Sequence, residues 1–403
     1  MDFTSFVLLN TETAVNYAVE ALEFFDKDEI VSCKEIGDGN INYVFRLKSS
    51  LDGRSLVIKQ ADRFLRSSGR PLDTGRSEIE EELLSLQNEL CPGFVPKVYN
   101  YDPVMRTIAM EDISQYKNLR KELMDGCVYP HLGENLSEFL AETLLPTSDL
   151  VLDSGEKKAR VRYFINPELC DISEDLVFSE PYMERPYRER NKNIVSPGNE
   201  AFVKQMLYNN IPLKSEISKL RINFTNNAQA LLHGDLHSGS VFVNENGIKV
   251  IDPEFAFYGP MGYDIGNVIG NLFFSLAYSV FVKRSSGKEI AELIEECFEL
   301  CFIKLNNVYD RDVCFELYKL KEFKDYYIHN IMADSLGYAG TEIIRRTVGD
   351  SKVPELSSLS LSETKLKMER ALINAAIKLI MERDSQETIN KAISLILKGA
   401  QDN

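Results

Sequence analysis

The run Leu231-Leu232-His233-Gly234-Asp235-Leu236-His237-Ser238-Gly239-Ser240-Val241-Phe242-Val243, followed after a short polar link by Lys249-Val250-Ile251-Asp252-Pro253-Glu254-Phe255-Ala256-Phe257-Tyr258, decides how the chain is read. Two apolar, β-prone segments, Ser240–Val243 and Ile248–Ile251, flank a polar turn at Asn244–Gly247, the pattern of a hairpin. Asp235 precedes the first strand, and Asp252 and Glu254 follow the second, so the hairpin brings all three acids to one mouth. Clustered carboxylates repel unless cations hold them, and Mg²⁺ is a natural candidate. A carboxylate base on one loop with metal-holding carboxylates on the next is a layout suited to phosphoryl transfer. The plainer alternative makes Asp235 and Asp252 turn residues that cap strand ends. The coincidence of His-Gly-Asp, the strand spacing and Asp-Pro-Glu favours the phosphotransferase site.

At 403 residues the chain exceeds one ordinary core, so two lobes are expected. A hydrophobic content of 44% and a charged content of 27% suit a soluble globular protein. The net charge of −16 argues against a nucleic-acid partner, whose phosphates require a basic face. The seven cysteines form an odd set with no Cys-x-x-Cys, which points to reduced thiols in a cytoplasmic protein. No signal peptide is evident. Ile265–Val282 carries no charge and just reaches the lower length for a membrane span. Its asparagines, serines and glycines point instead to a helix buried in the larger lobe.

Residues 12–25 have helical spacing, and three strands are expected at Ile30–Ile36, Tyr43–Lys48 and Ser55–Gln60. The link Gly37-Asp38-Gly39-Asn40-Ile41-Asn42 is either an ordinary hairpin turn or a backbone cradle for phosphate. Leu56-Val57-Ile58-Lys59 favours the cradle, since an inward lysine there could neutralise phosphates, the plainer alternative being a strand-end lysine that points to water. A helix opening at Arg76 offers an acid to brace Lys59. Glu80 is the choice, with Glu78, Glu81 and Glu82 left as a solvated face. Strands at Val95–Tyr101 and Arg106–Met110 lead to Glu111-Asp112-Ile113, a hinge whose backbone could meet an adenine edge. The expected division is therefore 1–113 and 114–403. Beyond it, 114–230 reads as helical with a turn-rich interruption at Asn166–Asn199. Asp264 opens the apolar helix as N-cap, as a tie to the catalytic loop, or as both. Helices are expected over 289–307, 313–348 and 363–398. Arg345 and Arg346 sit in a last turn that stops at Gly349, where cations suit the helix dipole in any case.

Taken together, His233–Ser240, Asp252–Pro260, Glu342-Ile343-Ile344-Arg345-Arg346, Asn166–Asp171 and Gly37–Phe45 resemble the methylthioribose kinases. These belong to the protein-kinase-like fold that also contains choline and aminoglycoside kinases. The resemblance covers nearly the whole chain. It implies an α+β, bilobal protein-kinase-like fold, with a small β-rich N-lobe and a large helical C-lobe. It also implies ATP-dependent phosphorylation of the anomeric 1-hydroxyl of 5-methylthioribose in methionine salvage, with Mg²⁺ and a homodimer. On this resemblance Asp235 is the base and a substrate contact, and Asp252 and Glu254, flanking Pro253, hold Mg²⁺. Lys59 binds phosphate, braced by Glu80. Gly39 and Asn40 lie in the phosphate loop, Glu111, Asp112 and Ile113 meet the adenine, and Arg345 and Arg346 reach the sugar and the transferred phosphoryl group.

Ser240 stands where the wider fold places a metal-binding Asn, which supports the narrower family over choline and aminoglycoside kinases. Two departures fall near the expected lid: Arg70-Pro71-Leu72 lacks the frequent Trp, and Glu78 replaces a common basic residue. The alternatives are a kinase of another 5-deoxy sugar or small alcohol, and a non-catalytic nucleotide-binding scaffold.

Overall fold

In β3 (Ser55–Ala61), alternation sends Leu56 and Ile58 to one face of a sheet and Val57 and Lys59 to the other. The computed structural model describes residues 2–36, 42–64, 72–185 and 193–401. The chain divides into two compact units, 1–116 with 249–256, and 117–248 with 257–403. The 249–256 segment carries Asp252 and Glu254 into the first unit.

That first unit is an antiparallel sheet of β1 (Val31–Glu35), β2 (Asn42–Ser49), β3, β4 (Val98–Asp102) and β5 (Thr107–Met110), in the order β1-β2-β3-β5-β4. Helix α1 (Thr11–Glu20) supplies Ala14, Tyr17 and Ala18 to a core shared with Phe45, Leu47, Leu56 and Ile58. The expected helix over 12–25 stops five residues early. Ala21 caps it and Glu23 takes a φ of +50°, which ends helical geometry. Gln60 faces α1 and is fully satisfied, accepting from the Leu9 N–H and donating to the carbonyls of Val7 and Met105. The opposite face carries Val57, Ile108 and Met110, and so also Lys59. Helix α2 (Arg76–Leu90) follows. Lys249 is drawn into this unit by the Val95 carbonyl at 3.0 Å and Glu111 at 2.9 Å.

The second unit is helical. After the two-residue β6 (Lys117–Asn118) come α3 (Leu119–Asp125), α4 (Leu132–Leu144), α5 (Ser154–Tyr163) and α6 (Pro167–Phe178). Helix α6 corrects the expected turn-rich stretch over Asn166–Asn199. Pro167 lies at its start, where proline's missing N–H costs nothing. Next are α7 (Glu200–Val203), α8 (Ile211–Asn226) and β7 (Ala230–Leu232), then β8 (Val241–Asn244) and β9 (Gly247–Val250) flanking the expected turn, and β10 (Phe257–Gly259).

Helix α9 (Gly262–Phe281), the uncharged stretch, is buried almost throughout. It packs on α11 (Lys321–Val348) along Gly262, Gly266 and Gly270. A Cβ on Gly266 would lie 2.6 Å from the Ser335 carbonyl oxygen, so glycine there sets the closeness of the two helices. Between these runs α10 (Lys288–Asp312), and after them α12 (Pro354–Ser357), α13 (Glu363–Met381) and α14 (Thr388–Gln401). The single helix expected over 363–398 is therefore two, parted by a turn in which Ser385 donates its N–H to Glu382 and Thr388 its N–H to Ser385. Among the described residues no helix is long and apolar enough to cross a membrane, and all seven cysteines are free thiols.

Candidate active site

In the first unit Lys59 extends from the face opposite α1 into a nest of acids. Its Nζ donates to Glu80 at 2.7 Å and to Asp252 at 2.5 Å. Glu80 is the acid favoured from the sequence; it lies one turn into α2 and is buried. Glu78 and Glu81 are half-buried and Glu82 is exposed. Asp252 holds a φ of +63°, a conformation that costs an L-residue energy and is concentrated at functional turns.

Glu254 is buried. It lies 3.2 Å from Arg76 Nε and accepts from Asn42 Nδ2 at 3.3 Å, while Arg76 Nη2 donates to Asn42 Oδ1 at 3.0 Å. Neither Arg76 nor Asn42 was singled out from the sequence. A signal existed: an arginine at the first position of a helix opposes the dipole and needs an acid to hold it.

Three carboxylates thus surround two cations. Burial opposes the charge on Lys59, yet Asp252, Glu80 and Glu254 together raise its pKa, so it stays protonated. Burial raises Glu80 against the pull of Lys59, with Asp252 and Glu254 adding to the rise. This surplus of hard oxygen donors suits Mg²⁺, which takes one or two protein carboxylates and completes its shell with phosphate and water. Asp252 is half-exposed and Glu254 buried. Among the described residues no three acids, histidines or cysteines converge as a metal cage.

Gly39 and Asn40, expected in the phosphate loop, lie outside the described residues, as does most of the Arg70-Pro71-Leu72 stretch. At the hinge, the Glu111 N–H is committed to the Lys97 carbonyl, and the Glu111 carboxylate to Lys249 and the Lys97 N–H. The Asp112 carboxylate accepts from Arg46 at 2.7 Å and from the Ser114 N–H at 3.0 Å. Its side chain therefore pins the hinge to β2.

In the second unit Asp235 lies on the loop after β7. Two N–H groups of that loop, from His233 and Gly234, donate to the Asp264 carboxylate at 2.6 and 3.0 Å. Asp264 accordingly ties the loop to α9. It does not cap the helix, whose N-cap is Met261 without a side-chain bond. Asn118 Nδ2 donates to the Gly239 carbonyl at 2.7 Å, steadying the far side of the loop.

Arg346 donates to Asp235 Oδ1 at 3.2 Å, and an Nη of Arg345 lies 3.5 Å from the same oxygen. His237 Nδ1 accepts the Ser240 N–H at 3.1 Å, which leaves Nε2 to carry the proton, 3.6 Å from Asp235 Oδ2. Burial alone would raise the Asp235 pKa, but His237, Arg346 and Arg345 hold it well below the usual carboxylate range. His237 is pulled down to about 4 by burial, against the attraction of Asp235 and with the help of Arg346 and Arg120.

An ionised acid flanked by two guanidiniums, and a lysine among metal-type carboxylates, are the two kinds of equipment that phosphoryl transfer uses. Residues 176–287, which span the Asp235 loop and the Asp252–Glu254 segment, match the phosphotransferase enzyme family. The chain is 36% identical over 380 residues to a methylthioribose kinase of Pectobacterium carotovorum subsp. carotovorum (strain PC1), covering 91% of this chain and 92% of that one. It is 33% identical over 389 residues to a methylthioribose kinase of Geobacillus sp. (strain WCH70), covering 96% and 95%. The chain belongs to the methylthioribose kinase family. Among solved structures it is similar to an ethanolamine kinase of Plasmodium vivax (TM-score 0.48, 15% identity, 98% of this chain and 90% of that one). It is also similar to a choline kinase of Cryptosporidium parvum Iowa II (TM-score 0.46, 12% identity, 98% and 96%).

Proposed function

We propose that the chain is an ATP-dependent kinase that phosphorylates the anomeric 1-hydroxyl of 5-methylthioribose, the step that the resemblance places in methionine salvage. The observation that carries this reading is the pairing of Asp235 with Arg345 and Arg346, in a chain related over nine-tenths of its length to methylthioribose kinases. Two guanidiniums beside the base favour an uncharged, hydroxyl-rich acceptor and an incoming phosphoryl group. They would repel the cationic alcohols that a choline or aminoglycoside site has to attract.

On this reading Lys59, held by Glu80, neutralises charge on the ATP phosphates. Asp252 and Glu254 would hold Mg²⁺, which when bound neutralises charge on the phosphate oxygens. The Glu111 carbonyl and the Ile113 N–H are the hinge groups suited to an adenine edge, since the Glu111 N–H and the Asp112 carboxylate are spent within the fold. Gly39 and Asn40 belong to the phosphate loop on the strength of the resemblance.

The anomeric oxygen attacks the γ-phosphorus as its proton passes to Asp235. The new O–P bond forms while the bond to the β,γ-bridging oxygen breaks, and ADP leaves. Arg345 and Arg346 stabilise the charge on the phosphoryl oxygens in transit. A homodimer in the cytoplasm belongs to the same reading, and seven free thiols agree with a reducing compartment.

The test is an acceptor screen with Mg-ATP and a single ADP readout, offering 5-methylthioribose, 5-deoxyribose, ribose, choline and an aminoglycoside. The highest kcat/KM is expected with 5-methylthioribose. A preference for choline or the aminoglycoside would overturn the assignment.

A further inference from the structure

Behind the arginine pair lies a buried polar chain to which no role has been given. Glu342, 1% exposed and one helical turn before the arginines on α11, offers one carboxylate to both of them. Its Oε1 accepts from Arg346 Nε at 2.9 Å and from Asn271 Nδ2 at 3.2 Å, and its Oε2 lies 3.2 Å from Arg345 Nε. Because the Nε ends are held from behind, the Nη ends of both guanidiniums converge on Asp235 Oδ1.

The anchor continues inward. Asn271 Oδ1 accepts from Arg120 Nη2 at 2.5 Å, and Arg120 Nη1 donates to Glu355 at 3.0 Å. Arg120, Asn271 and Glu355 are all buried and come from α3, α9 and α12. The Asn271 amide thereby has its oxygen and its nitrogen assigned by opposite partners, which fixes how Glu342 is presented.

The grip on the two arginines is unequal. Arg346 makes an aligned hydrogen bond to Glu342, whereas Arg345 Nε and Glu342 Oε2 face each other without one. Arg346 is hydrogen-bonded to Glu342, and Arg345 is held by the ion pair alone.

We propose that Glu342 is a positioning residue for acceptor recognition: through Asn271 it sets the angle at which Arg345 and Arg346 present themselves to Asp235 and to the sugar. The proposal rests on the functional reading above. Replacing Glu342 by Gln leaves a single acceptor oxygen for two guanidiniums and turns an NH₂ against another donor. One arginine then swings free, and the four charges Arg345, Arg346, Asp235 and Glu342, which sum to zero, become a net +1 around the base.

The experiment measures KM for sugar, KM for ATP, kcat and its pH profile for wild type, Glu342→Gln and Glu342→Asp, with melting temperatures. For Glu342→Gln, kcat/KM for the sugar is expected to fall about 10²-fold, the usual consequence of misplacing a positioned group by about 1 Å, with KM for ATP unchanged. Glu342→Asp, which keeps the charge, should recover part of the loss. A role in stability alone would lower the melting temperature and spare this split between the substrates. If Glu342→Gln does not fold, Asn271→Ala decides. A raised sugar KM with normal ATP KM supports the proposal, and unaltered sugar kinetics overturns it. A folded Glu342→Gln enzyme with wild-type sugar kinetics overturns it as well. A wild-type protein that phosphorylates no sugar overturns the functional reading and this inference together.

Discussion

Lys59 and Asp252 stand 193 positions apart in the chain, and their charged atoms lie 2.5 Å apart. Glu80 holds the same ammonium from α2, so one cation joins the central strand, a helix and the segment after the hairpin. A single charge arranged in this way both locks the first unit and prepares a phosphate-binding surface.

Replacing Lys59 by Met leaves Glu80 buried without its cation. A loss of about 3–5 kcal/mol is expected, the usual cost of breaking one side of a buried pair. Adding Glu80→Leu should restore most of that stability, because apolar replacement of a whole buried pair is often neutral. ATP affinity should stay low in both variants. Urea unfolding with nucleotide titration reads the two effects separately.

Arg76 and Asn42 orient Glu254. Arg76→Gln is expected to raise the Mg²⁺ concentration needed for half-maximal activity by about 10–100-fold, the typical effect of losing a partner that orients a metal ligand. Chelation of divalent cations should abolish transfer in both proteins. A Mg²⁺ titration at saturating ATP checks this.

His237 gives the fold an acid-sensitive point. Its pKa drops from 6.5 to about 4 on folding, so between these values the unfolded chain binds a proton that the folded one does not. Stability therefore falls as pH drops through this window, by about 3 kcal/mol in total. Asp235, whose pKa is depressed, adds stability above the ordinary carboxylate range that is lost only in stronger acid. Melting temperatures from pH 7 to 4 should show the slope in wild type and a flatter one in His237→Gln.

Asp264 accepts two buried N–H groups from the Asp235 loop. Asp264→Ala orphans both, and a loss of about 2–5 kcal/mol is expected. Turnover should fall further than the folded fraction does, because Asp235 loses its anchor, while KM for ATP holds. Calorimetry paired with steady-state kinetics separates these effects.

Much of this is legible in the sequence. Periodicity two places the expected strands to within a residue, except that β4 starts three residues later than expected, and an apolar strand carrying Lys59, followed by an acid-rich helix, announces the Lys59–Glu80 pair. Other features were hidden for physical reasons. Pro167 lies in the stretch expected to be turn-rich and starts a helix, where its missing N–H costs nothing. Arg76, Asn42 and Asn271 work through partners up to 212 positions away, and no local pattern encodes such distances. The positive φ of Asp252 is equally invisible, since Asp-Pro carries no sign of it. Asp264 is readable as a cap, as a tie to the catalytic loop, or as both, and its oxygens are spent on the loop.

Asp235→Asn keeps the shape of the loop and removes the base. Turnover is expected to drop about 10²–10⁴-fold with nucleotide affinity unchanged. Equal turnover would refute a proton-accepting role.

The most direct measurement is phosphorus NMR of the product formed from Mg-ATP and 5-methylthioribose by the wild-type protein. One new phosphate-ester signal coupled to the anomeric proton is the expected result. An ester coupled to another sugar proton, or ATP bound with no ester formed, would contradict transfer to the 1-hydroxyl.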